Sequence, residues 1–232
     1  MVPPAKVSRI SLQSRRQMRK IGIATFGIVV LISAAAARAA HAADVTTYGA
    51  GLKSCGAYVE SRDRNTVDQV AFIDWLSGYF SAVNKTSHHR NNFLGLSDLG
   101  GAMYRLDDYC HARPLAHFAE AVWISVLGAK PGPAAHSIKV TDYGSVDRSC
   151  RVYHEAKEQR DVSYWEELAG FTDWLGGYLS GVNAMSLSTN NILGSAELAE
   201  ALSWLDTYCT AHPVTPFGAA VEALVATNQR DK

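Results

Sequence analysis

Apolar side chains recur every three or four residues through most of the chain beyond residue 50. The clearest stripe occupies positions i, i+3, i+4, i+7 and i+11 of one predicted helix and comprises Phe72, Trp75, Leu76, Tyr79 and Val83. A second stripe ends on a cysteine and comprises Leu99, Met103, Leu106 and Cys110. No stretch alternates apolar and polar residues with a period of two for long. The pattern therefore predicts an all-α fold.

The same pattern occurs twice. The segment 45–55 matches 140–150 at an offset of 95 residues, and the segment 72–84 matches 171–183 at an offset of 99. Self-similarity over this length indicates an internal duplication. Residues 130–139 contain Pro-Gly-Pro, which breaks helices and marks a boundary. We predict two tandem modules, 43–129 and 140–228, joined by the linker 130–139.

Each module is predicted to contain four helices. A short first helix carries the first cysteine, and the two apolar stripes form the second and third helices. Pro114 is expected to open the fourth helix as a first-turn proline, with Leu115 and Phe118 facing the core. Gly78, Gly177 and Gly181 lie inside the second helices, where glycine costs about 1 kcal/mol relative to alanine. We expect the close approach of a neighbouring helix to compensate.

Four cysteines, none of them in a Cys-x-x-Cys pair, allow three disulfide pairings. The duplication favours one bridge within each copy, Cys55–Cys110 and Cys150–Cys209. Closing a loop of this length should stabilise each module by about 4 kcal/mol. Structural disulfides belong to oxidising compartments, so their presence predicts an exported protein.

Residues 1–42 have the order of an export signal. Basic residues at 15–20 precede the apolar run 21–32, and small residues follow, with cleavage expected between Ala42 and Ala43. The short core and Arg38 argue against an uncleaved anchor. Met18 is an alternative start. The segment 14–20 is similar to a twin-arginine motif, so both export routes stay open. We predict a periplasmic or secreted protein that has no membrane contact after cleavage.

Charge is divided unevenly along the chain. Residues 1–43 hold seven of the 22 Lys and Arg and none of the 22 Asp and Glu, so the remainder carries 15 basic against 22 acidic residues, a net charge of −7. Phosphate contacts need clustered Lys and Arg, so we expect no nucleic-acid partner. A basic protein partner is compatible with this sign.

Known catalytic and metal-binding motifs are missing from the sequence, so we predict no enzyme activity, no cofactor and no metal site. Asp74 and Asp173 stand beside the tryptophan of each second helix. Acid–base catalysis needs a partner group and a cleft, and the sequence supplies neither. A structural role is therefore the favoured interpretation.

The loop between the second and third helices is the predicted partner-binding region. Asn and Gly there are typical of exposed turns, and loops carry function more often than cores do. The first copy alone adds a basic cluster with two histidines, which titrate near neutral pH. The candidate residues are His88, His89, Arg90, Asn91, Asn92, Asn190 and Asn191.

Three motifs, each present in both copies, carry a family resemblance. They are Ser-Cys-x-x-Tyr, Trp-Leu-x-Gly-Tyr-x-Ser-x-Val-Asn and Leu-Asp-x-Tyr-Cys-x-Ala-x-Pro. Their layout resembles small exported helical proteins of the HdeA-type acid-stress chaperone group and the type VI secretion immunity proteins that neutralise peptidoglycan amidases. In both groups a disulfide joins the first helix to a later one around a Gly-Tyr helix. The matching positions are Cys55, Gly78, Tyr79 and Cys110, with Cys150, Gly177, Tyr178 and Cys209.

The resemblance covers residues 45–228 and implies two hypotheses. The first is a non-catalytic periplasmic binding protein, similar to an immunity protein, that clamps another exported protein. The alternative is an acid-stress holdase, active at about pH 2–3 where carboxylates are protonated. Members of these groups are usually single modules, whereas this chain is a tandem. The oligomeric state and the packing of the two modules stay open at this point.

Overall fold

The computed structural model describes residues 45–86, 92, 94, 99–128, 142–158 and 162–230, except the side chains of 125–128, 162–164 and 230. Within these ranges there are eight α-helices and no strand, and residues from Val45 onward form one compact unit. The helices are α1 (Cys55–Asp63), α2 (Asp68–Thr86), α3 (Leu99–Ala112), α4 (Phe118–Gly128), α5 (Cys150–Glu158), α6 (Val162–Met185), α7 (Leu198–Ala211) and α8 (Phe217–Arg230). The prediction of an all-α fold is confirmed. The predicted signal segment 1–42 and the linker 130–139 lie outside the described residues.

Both disulfides are those that the duplication favours. Cys55–Cys110 joins α1 to α3 and Cys150–Cys209 joins α5 to α7. All four cysteines are fully buried. Each bridge belongs to the same buried core as a cluster of three aromatic rings, Tyr58, Phe72 and Phe118 in the first copy and Tyr153, Phe171 and Phe217 in the second.

The predicted start of the fourth helix is wrong. The helix α4 begins at Phe118, and Pro114 and Leu115 lie in the turn before it. Leu115 does not face the core, because 93% of its surface is exposed. The turn takes this position because the first peptide N–H groups of α1 have no partner within their own helix. The Cys55 and Gly56 amides donate to carbonyls of this turn instead, each at 2.8 Å.

The second helices of the two copies pack against each other as a parallel pair. A Cβ atom added to Gly78 would lie 2.0 Å from the Trp174 carbonyl oxygen, and one added to Gly177 would lie 1.8 Å from the Trp75 carbonyl oxygen. The Cβ position of Gly181 is 2.7 Å from the Tyr79 carbonyl oxygen. Only glycine permits backbones to approach this closely. The expected compensation for the helical glycines is therefore present, between α2 and α6.

Each copy also sends an extended segment across to the other. We call residues 45–48 the first strap and residues 142–143 the second strap. The Tyr48 amide donates to Ser180 Oγ at 3.0 Å, and the Tyr143 amide donates to Ser81 Oγ at 2.9 Å. The carbonyls of the same two tyrosines accept from the buried indole N–H groups of Trp75 and Trp174, both at 2.7 Å. The amide–serine bonds therefore join the copies reciprocally, and the indole bonds attach each strap to the second helix of its own copy.

One ionic contact between the copies has no counterpart across the pseudo-twofold axis. Lys85, at the end of α2, lies 2.8 Å from Glu222 of α8 and 3.7 Å from Asp142 of the second strap. In the duplicated alignment the corresponding residues are Ala184, Trp123 and Thr47, so the other side of the interface cannot form these ion pairs. This contact distinguishes the two copies within an otherwise symmetric arrangement.

Candidate functional site

The asparagines predicted to bind a partner hold the straps. Tyr48 OH donates to Asn191 Oδ1 at 2.7 Å, and Tyr143 OH donates to Asn92 Oδ1 at 3.1 Å. The Asn190 carbonyl accepts from the Thr46 amide at 2.9 Å. These residues thus support the contact between the copies. Their proposed partner role stays a prediction. His88, His89, Arg90 and Asn91 lie outside the described residues.

The structure brings Asp74 and Asp173 within electrostatic reach of each other, where α2 and α6 begin to pack. Asp74 Oδ2 lies 3.0 Å from the position of a Cβ on Gly170, and Asp173 Oδ1 lies 3.6 Å from that of Gly49. Each carboxylate therefore lies against the backbone of the other copy. Among the described residues neither has a hydrogen bond or an ion pair.

Burial raises the pKa of both carboxyl groups to about 6. For Asp74 the positive charge of Arg148 opposes this rise. For Asp173, Lys53 opposes it and the charge of Asp74 adds to it. Two like charges in one interface disfavour ionisation of both groups together. The opposing backbone occupies the space in front of the two oxygens, which favours a role in packing over one in acid–base catalysis.

A second candidate site is the turn that precedes α4 in the first module, with its counterpart before α8 in the second. Each turn lies close to the disulfide of its module. We call residues 113–116 the copy-1 tip and residues 212–215 the copy-2 tip. Hydrogen bonds fix each tip to the first helix of its module, including Gly56 N to Pro114 O at 2.8 Å and Arg151 N to Pro213 O at 2.9 Å. Each tip projects one aliphatic side chain into solvent, Leu115 at 93% and Val214 at 74% exposure.

Beside the copy-1 tip is a cleft of about 320 Å³ between α1 and the end of α3. Its lining includes Gly56, Val59, Glu60, Asp63, His111 and Pro114. Arg64 pairs with Glu60 at 2.8 Å, while the Asp63 carboxylate has no ion pair among the described residues. The cleft is thus apolar at Val59 and Pro114 and acidic at Asp63.

The two copies differ at this cleft although their backbones are alike. The counterparts of Gly56 and Val59 are Arg151 and His154, which replace open space and an apolar wall with long polar side chains. His154 Nε2 and Thr210 Oγ1, 3.1 Å apart, share a hydrogen bond between α5 and α7. One tip therefore lies beside a cleft that is partly apolar and partly charged, and the other lies beside a polar surface.

Comparison with protein-family models, curated proteins and solved structures finds no match to this chain. None of the helices in the described ranges combines the length and hydropathy needed to cross a membrane. Nor do those ranges contain a group of three or more His, Cys, Asp or Glu side chains placed to hold a metal ion. The two disulfides indicate an oxidising environment outside the cytoplasm.

Sequence reasoning missed the aspartate pair and the tips. Asp74, Gly78 and Ala82 are spaced i, i+4 and i+8, as are Asp173, Gly177 and Gly181. Once the glycines are assigned to a helix contact, that spacing places the aspartates on the same face. For the tips, the sequence signal was a Pro followed by an aliphatic residue immediately after each second cysteine helix, which we had assigned to the fourth helix.

Proposed function

We propose that this protein is a non-catalytic, periplasmic binding protein, similar to an immunity protein, which holds another exported protein at the copy-1 tip and cleft. The observation that carries the proposal is Leu115, an exposed leucine on a turn fixed by backbone hydrogen bonds, beside a cleft lined by both apolar and charged side chains. Because the backbone of this turn is already ordered by hydrogen bonds, binding there costs little further backbone entropy, which raises affinity.

The chemistry of the surface selects the kind of partner. Leu115 requires an apolar socket, and the cleft accepts an apolar side chain in return. Asp63 at the cleft and the net charge of −7 beyond residue 43 favour a basic rim on the partner. The predicted export signal at 1–42 and the two disulfides favour the periplasm as the compartment in which the two proteins meet.

The first experiment identifies the partner by position. A photo-crosslinking amino acid at residue 115 of the full chain is expected to form one adduct with an exported protein, and the same probe at residue 214 is expected to form none. The captured protein is then purified and its affinity for the intact chain is measured. Equal adducts from both positions would contradict the assignment to the copy-1 tip.

Leu115→Asp is expected to weaken binding of that protein by about 30-fold or more, because a central anchor contributes about 2–4 kcal/mol. Val214→Asp makes the same chemical change at the equivalent exposed turn and is expected to leave affinity unchanged. Isothermal calorimetry measures both. Unchanged circular dichroism spectra control for folding. Equal losses in the two variants would refute the proposal.

The alternative function, an acid-stress holdase, is favoured by a different observation. The ion pairs of Lys85 with Asp142 and Glu222 join the two copies, and carboxylates as a class are protonated at about pH 2–3. Loss of these pairs would remove an ionic contact between the copies and, under this alternative, expose the surface around Lys85. Protection of a client from aggregation at that pH, absent at pH 7, is the expected result. No protection at either pH removes this alternative.

A further inference from the structure

Asp74 and Asp173 lie next to the closest backbone contacts between the two copies. The glycine contacts of Gly78 and Gly177 fix α2 against α6 backbone to backbone. Asp74 and Asp173 precede these glycines by one helical turn on the same face, so their carboxylates are held in the interface. Two negative charges there repel each other across the helix contact.

The nearby cations Lys53 and Arg148 offset the charge of this end of the interface only in part, because each also pairs with another carboxylate. Lys53 lies 3.6 Å from Asp68, and Arg148 forms an ion pair with Glu167. Both cations also lie over phenylalanine rings, Lys53 over Phe72 and Arg148 over Phe171. With Asp74 and Asp173 included, four carboxylates face two cations. When all are ionised, these six groups sum to a net charge of −2 beside the α2–α6 contact.

We propose that Asp74 and Asp173 make the cohesion of the two copies depend on pH, strengthening the α2–α6 contact when they are protonated and weakening it when both are ionised. The raised pKa of both carboxyl groups agrees with this geometry. A carboxyl whose pKa is raised by folding contributes stability below its unfolded value near 3.8, and that stability is lost as pH rises through about 6. The proposal is independent of the partner-binding function.

Titration of the intact mature chain tests the proposal directly. With carbon-13 in the aspartate carboxyl groups, two resonances are expected to titrate near pH 6, well above the ordinary aspartate value of about 3.9. Asp74→Asn and Asp173→Asn each assign one resonance. Exposed Asp108 is the reference. If both groups titrate below pH 4.5 in the wild-type chain, the proposal fails, whether or not the variants fold.

Thermal unfolding gives the second readout. Relative to wild type, the double variant D74N/D173N is expected to gain about 5 °C in Tm at pH 7.5 and close to nothing at pH 4. Asp108→Asn is the matched control and is expected to show no pH-dependent gain. Hydrogen exchange, corrected for its intrinsic pH dependence, is expected to be slower at pH 5 than at pH 7.5. This slowing should be larger in α2 and α6 than in α3 and α7. A gain that is equal at both pH values, or uniform protection, would overturn the proposal.

Discussion

Gly177→Ala is expected to destabilise the chain by ~3 kcal/mol or more, whereas Gly176→Ala, at the next position, is expected to be tolerated. The added methyl group at residue 177 would lie 1.8 Å from the Trp75 carbonyl oxygen, which belongs to the backbone of α2 and cannot rotate away. Overpacking of a core typically costs about 1–3 kcal/mol, and a contact with rigid backbone lies at the upper end. The copies must separate to admit the methyl group.

The neighbouring glycine supplies the control because it shares the helix but not the contact. At residue 176 the nearest atom to an added Cβ is 3.5 Å away, which is an ordinary van der Waals distance. Alanine is favoured over glycine in a helix by about 1 kcal/mol, so Gly176→Ala is expected to be neutral or stabilising. Urea unfolding followed by tryptophan fluorescence measures both variants. Similar destabilisation by the two changes would contradict the close helix contact.

Local periodicity accounts for what the sequence could predict. The apolar stripes specify eight helices because each helix buries one face, and a cysteine at the end of each third-helix stripe has to point into the core. The helical glycines were informative for a different reason. Gly78, Gly177 and Gly181 weaken their own helices, and a close backbone contact is the compensation that the structure shows.

The straps could not be predicted, because two to four extended residues have no periodicity to identify them. Their positions depend on hydrogen bonds to residues more than 60 positions away, such as Tyr143 N to Ser81 Oγ and Tyr48 N to Ser180 Oγ. Pro114 was misplaced for a related reason. Its position is set by the unpaired amides at the start of α1, 58 residues earlier at Gly56, and not by its own local helix preference.

Asp74 and Asp173 were predictable as residues of a helix, but their position relative to each other was not. Each residue was visible in the sequence, and each was assigned a structural role within its own copy. The charge of Asp74 acts on Asp173 because α2 and α6 pack in parallel, which brings equivalent positions of the two copies near each other. Parallel packing is a property of the whole fold, which a duplicated sequence does not specify.

Removal of either disulfide is expected to lower the free energy of unfolding by about 4 kcal/mol, with little difference between the two bridges. The bridges span 55 and 59 residues, and the chain-entropy effect varies only slowly with loop length. Alanine is the appropriate replacement, because all four positions are fully buried and a serine hydroxyl would lack a partner there. Urea midpoints of C55A/C110A and C150A/C209A measure the effect. A loss below about 1 kcal/mol in either variant would contradict it.

The two disulfide variants, although similar in stability, are expected to differ in their affinity for the partner. The amides of Cys55 and Gly56 hold the copy-1 tip, so loss of Cys55–Cys110 frees the end of α1 on which Leu115 depends. Under conditions where both variants are folded, C55A/C110A is expected to bind the partner more weakly by about tenfold or more, and C150A/C209A is expected to bind like wild type. A preorganised anchor must lose affinity when its support is removed. Equal affinities of the two variants would therefore show that Cys55–Cys110 stabilises its module without orienting the tip.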